Sequence, residues 1–62
     1  MSEYLKVRVQ FIAQGTSLNR WCEANGVKRQ NARKALTGEW AGPKGQAMRQ
    51  RLLHAAGLRR HD

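Results

Sequence analysis

Apolar residues fall into four clusters along this chain, set apart by glycine-bearing breaks. Residues 2–14, SEYLKVRVQFIAQ, support two readings. Leu5, Val7, Val9 and Phe11 alternate with Lys6, Arg8 and Gln10, as in a half-buried strand. Wound as a helix, Leu5, Val9 and Ile12 form one stripe and Tyr4, Val7 and Phe11 a second, with Ser2 and Glu3 supplying a start. The helix is the preferred reading. Two apolar stripes exceed what a small core needs, so one is expected to meet a partner chain, with Tyr4, Val7 and Phe11 as the dimer candidates. The plainer alternative is that Tyr4 and Phe11 flank the core.

Gly15 closes this segment, and Thr16 or Ser17 offers an N-cap oxygen to a second helix beginning near Leu18. Leu18, Trp21, Cys22 and, less regularly, Asn25 keep helical spacing until Gly26, which is placed as a C′ glycine, and Val27 can plug the inside of the turn. A third helix follows from about Arg29 to Leu36 or Thr37, stopped by Gly38. It sets Ala32, Ala35 and Leu36 on one arc and Arg29, Gln30, Arg33, Lys34 and Thr37 on the opposite arc. Residues 39–45, EWAGPKG, read as a loop of turn-formers. Trp40 in that loop is expected to pack back on the core, its rival role being to stack on a nucleotide. The last helix spans about Lys44 to Ala56, with Met48, Leu52, Leu53 and Ala55 or Ala56 facing inward and Arg49 and Arg51 outside. Gly57 is its C′ residue, and Arg59 to Asp62 form a frayed end. The pattern predicts an all-α fold: one compact four-helix domain over residues 1–62, with a helix-turn-helix at about 17–38.

Charge then narrows the partner. Twelve Lys+Arg against four Asp+Glu give +8 and a pI near 11.3, so a polyanion is expected, nucleic acid first. An anionic membrane surface fits less well, because the cations lie in several segments and no long helix sets a basic face against an apolar one. No apolar run reaches the ~18 residues of a spanning helix, and the start MSEYLKVRV has no signal-peptide h-region. Cys22 stands alone, cannot form an internal disulfide and fits a reducing compartment. A soluble, cytoplasmic protein is the expectation.

The outward arc of the third helix sharpens this. A solvated helix face mixes signs, yet no carboxylate lies between Ala24 and Gly38. Arg and Lys reach guanine O6 and N7, and Gln pairs with adenine N6 and N7, so Arg29, Gln30, Arg33, Lys34 and Thr37 are candidate base readers. Lys28 falls where the helix wants a hydroxyl or carboxamide cap. A cation there meets the positive helix end unfavourably, but it is placed to reach a phosphate.

Little else in the chain carries chemistry. Glu3, Glu23, Glu39 and Asp62 do not cluster as a catalytic carboxylate pair. Cys22, His54 and His61 lack metal-ligand spacing, and no glycine-rich phosphate loop follows a strand. Cys22 reads as a buried small residue and His54 as an outer-face residue of the last helix. No enzyme activity, cofactor, metal or small-molecule ligand is expected.

FIAQGTSLNRWCEANGV, the basic helix closing in ALTG, the Gly/Lys loop and the final helix ending in AAGL together resemble the small phage-type repressors of the lambda repressor-like class, over about residues 4–58. The resemblance implies four or five helices, the third in the major groove, and control of transcription, commonly of phage genes. It makes Cys22 the small residue at a helix–helix contact, Arg29, Gln30, Arg33 and Lys34 base readers, and Ser17, Asn31 and Lys44 backbone contacts. Lys28 departs from the family's usual cap, and the chain stops before the fifth helix that larger members use to dimerise. One helix in one groove makes few contacts, so a homodimer on an inverted-repeat DNA operator is expected, with half-sites ~34–36 Å apart.

Two rival readings stand beside this one. A ribbon-helix-helix repressor would pair residues 5–11 with their copy and read the groove with Lys6, Arg8 and Gln10. A basic helical adaptor would instead bind an acidic protein or RNA.

Overall fold

The computed structural model describes residues 2–58. Four helices follow one another, α1 (Glu3–Ala13), α2 (Leu18–Asn25), α3 (Arg29–Thr37) and α4 (Pro43–Ala55), and no strand occurs among the described residues. The frayed end expected for Arg59 to Asp62 lies outside them.

Local chemistry explains where the helices begin and end. Ser2 and Ser17 sit in extended backbone, and each hydroxyl oxygen accepts from the backbone N–H three residues on, Leu5 at 3.2 Å and Arg20 at 3.1 Å. Such caps satisfy N–H groups that the first turn leaves orphaned. Gly26 ends α2 at φ 66°, a left-handed geometry that glycine adopts without a Cβ penalty. Val27, half-buried against the core, donates its N–H to the Cys22 carbonyl at 2.9 Å.

Residues 5–11 are helical, so the strand alternative and the ribbon-helix-helix reading built on it do not hold. On a strand Val7, Val9 and Phe11 would share one face. Here Val7 and Phe11 are fully buried, 0% and 1% exposed, while Val9 between them is 50% exposed.

The same burial corrects the expected dimer surface. Val7 and Phe11 belong to the core of the chain itself, with Leu18, Cys22, Ala32, Leu36, Leu52 and Ala56, and Tyr4 packs at its edge. Phe11 stacks on Trp21, ring centroids 6.1 Å apart. The stripe left in water is the other one, Leu5, Val9 and Ile12, at 43%, 50% and 64% exposure.

α3 lies against all three other helices, which requires a thin inner face. Ala32 and Ala35 supply it, both buried, with Leu36 closing the last turn. α4 begins one residue earlier than expected, with Pro43 at its first position, where a missing N–H costs nothing. Gly45 is therefore a helical residue and not part of the loop. A Cβ there would overlap the Trp40 carbonyl and come within 2.8 Å of Trp40 Cγ. Trp40 thus packs on the first turn of α4, half-buried, and its N–H reaches back to the Lys34 carbonyl at 3.1 Å.

Arg49, expected outside, is half-buried and holds Glu3 in a two-point ion pair: Nε donates to Oε1 at 2.6 Å and Nη2 to Oε2 at 2.7 Å. This pair joins the first turn of α1 to the middle of α4. Arg51 stays exposed, its guanidinium 5.5 Å from the Trp21 ring centroid.

Candidate nucleic-acid interface

α3 carries its cations on the side away from the core. Arg29, Gln30, Arg33, Lys34 and Thr37 are all exposed, while Ala32, Ala35 and Leu36 are buried. No carboxylate pairs with Lys28, Arg29, Arg33 or Lys34; among the described residues the ion pair is Glu3–Arg49. Unpaired guanidinium and ammonium groups keep all their donors for a ligand.

The fold brings part of this arc together with α2. A groove of about 510 Å³ is lined by Lys28, Arg29, Gln30 and Arg33 from α3 and the residue before it, and by Asn19 from the first turn of α2. A smaller pocket of about 190 Å³ adjoins it, lined by Tyr4, Arg8 and Ile12 of α1, Ser17, Leu18 and Asn19 at the start of α2, and Arg29. Asn19 and Arg29 line both, so the two concavities are neighbours on the surface formed by α1, α2 and α3.

The candidate site residues fall partly on this surface and partly off it. Lys28 is exposed in extended backbone before α3 and makes no side-chain cap, so its ammonium is free beside orphaned N–H groups. Ser17 lies at the pocket, its hydroxyl oxygen accepting from Arg20 while its proton remains available. Lys34 follows farther along α3. Thr37 is engaged elsewhere: its hydroxyl faces the Glu39 carboxylate at 3.0 Å and the Lys34 carbonyl at 3.4 Å. Asn31 is half-buried on the flank of α3, and Lys44 is exposed on α4, and neither lines the groove or the pocket.

Asn19 and Arg8 escaped the sequence reading as partners of this face. Asn19 could have been found, since a residue two past the Ser17 cap sits in the first turn of α2. Arg8 carries no such signal, because its place beside Arg29 depends on how α1 packs.

Cys22 is buried in the contact between α2 and the core, and burial pushes its thiol above the usual cysteine range, opposed by the positive charge of Arg29. That direction is opposite to the one an activated nucleophile needs. Among the described residues no three His, Cys, Asp or Glu side chains converge as metal ligands, and no helix is long and apolar enough to cross a membrane. Comparison of the chain with protein-family models, with curated proteins and with solved structures found no match.

Proposed function

We propose that this chain binds double-stranded DNA sequence-specifically and regulates transcription, laying α3 in the major groove as a phage-type repressor would. One observation carries the reading: α3 packs through two alanines and a leucine and turns toward solvent a carboxylate-free row of Arg29, Gln30, Arg33 and Lys34. These side chains have the length and donor geometry to meet base edges, while Lys28 in the groove and Ser17 in the adjoining pocket are candidates for phosphate contacts. α2 and α3, joined through Gly26, Val27 and Lys28, act as the helix-turn-helix in this reading. Thr37, held by Glu39, is the weakest of the base-reading candidates.

Two copies meet an inverted-repeat operator, one in each half-site, in a bacterial cytoplasm where DNA is accessible. Asn31 and Lys44 supply outlying backbone contacts.

Selection from random duplex DNA tests the proposal. A dyad-symmetric site bound at nanomolar concentrations, and bound more weakly by Arg33→Ala, supports it. Retention of single-stranded RNA in preference to every duplex would move the chain to the adaptor reading, and binding to neither would end both.

A further inference from the structure

The geometry points to Arg8 of α1 and Arg29 of α3 as the two sides of a clamp on one DNA backbone phosphate, an inference that rests on the DNA-binding reading above. Sequence position alone places Arg29 among the base readers. The structure places it differently.

Seven residues separate Arg29 from buried Leu36, so the two lie only about 20° apart around the helix axis. Arg29 is thus at the edge of the α3 arc nearest the core, whereas Arg33 lies farther toward its middle. Its charge is felt by the buried Cys22 thiol of α2. The side chain lines the pocket between α1 and α2 as well as the groove along α3.

Arg8 of α1 lines the same pocket. Its guanidinium sits 5.6 Å from the centroid of the Tyr4 ring, a cation–π contact that limits where the long side chain can go. Neither arginine has a carboxylate partner among the described residues. Ser17 and Asn19 line the pocket with them and bring a hydroxyl and a carboxamide, both able to donate to an anionic oxygen. The pocket, at about 190 Å³, has room for a tetrahedral anion. It shares Asn19 and Arg29 with the groove of Gln30 and Arg33. A phosphate seated there is therefore next to the bases that α3 would read, as a backbone phosphate must be. Two guanidiniums from different helices on one phosphate also fix the angle at which α3 enters the groove.

Arg8→Ala, Arg29→Ala, the double variant and Arg33→Ala, each checked for unchanged thermal unfolding, are titrated with the selected duplex and a scrambled one at several salt concentrations. Each clamp variant weakens both duplexes by the same factor, and the double variant lowers the salt slope by about one, since both arginines serve the same phosphate. Arg33→Ala loses affinity for the selected duplex only. A double variant that lowers the slope by about two assigns separate phosphates and overturns the clamp. So does an Arg29→Ala protein with relaxed preference at one base pair, or a neutral Arg8→Ala, and in both cases the DNA-binding reading survives on Arg33. Inorganic phosphate serves as the last probe. If it binds wild type more tightly than the duplex does, and DNA affinity ignores Arg8, the pocket belongs to a free anion and the clamp fails. If none of the variants, Arg33→Ala included, changes binding to either duplex, the DNA-binding reading fails with it.

Discussion

Among the described helices, α3 is the one whose start carries a cation, Lys28, where a capping side chain would be expected. The Lys28 backbone is extended, φ −73° and ψ 131°, the geometry an N-cap serine adopts, yet no side chain receives the orphaned N–H groups of α3. Lys28→Ser is expected to raise stability by about 0.5–2 kcal/mol through the new cap and the loss of a charge at the positive helix end. The same change removes a cation from the groove and weakens DNA binding. Denaturant melts and a low-salt titration read the two effects, which must have opposite signs. Gly45 is the converse case. Helix propensity alone says that Gly45→Ala stabilises α4 by about 1 kcal/mol. The Trp40 carbonyl and ring occupy the place of that methyl, so the variant is expected to lose about 1–3 kcal/mol as an overpacked site does. A melt at unchanged or higher temperature would show that Trp40 moves aside freely.

Among the elements, the helices and their stops were legible because their signals are local: Ser2 as a start, Thr16 or Ser17 as a cap, Gly26 and Gly38 as ends; only the start of α4, at Pro43, fell one residue outside the expected bounds. The choice between the two stripes of α1 was not. Both have helical spacing and similar apolar content, and only the meeting of Phe11 with Trp21 in the folded chain decides which one is buried. The role of Gly45 was hidden for the same reason, since it depends on where Trp40 returns. On the candidate site, the arc of α3 could be read from spacing and Asn19 from its place after the Ser17 cap, whereas the addition of Arg8 required the packing of α1. The tie between α1 and α4 also lay beyond local signals. Arg49 holds the Glu3 carboxyl below its ordinary value of 4.5, mainly through the side-chain hydrogen bond. A depressed carboxyl contributes stability above its unfolded pKa and loses it as pH falls through the lower folded value. The pair is about one-third exposed at each end, which limits it to about 1 kcal/mol. Glu3→Gln is therefore expected to cost up to that amount at pH 7 and to flatten the acid side of the stability curve. An unchanged acid limb in the variant would show that Glu3 does not titrate with folding.

For the molecule as a whole, the exposed stripe of Leu5, Val9 and Ile12 sets the expected assembly. Three half-exposed aliphatic side chains fall well short of the ~800 Å² per partner that stable pairs bury. Lys6 and Arg8 flank the stripe, so a second copy packed on it would set cation against cation. The free chain is expected to sediment as a monomer at micromolar concentration, with two copies brought together only on DNA. A tight dimer without DNA, lost on Val9→Asp, would contradict this.

The central claim is that α3 reads base sequence, and the most direct test is site selection repeated with a single α3 variant. Wild type and Arg33→Ala are each taken through selection from the same random duplex pool, and the two enriched sites are aligned. The expected result is one inverted repeat common to both, with preference relaxed at one symmetry-related base pair per half-site in the variant and an affinity cost of about 1–3 kcal/mol on the wild-type site. Identical enriched sites of equal affinity, or no enrichment from either protein, would contradict it.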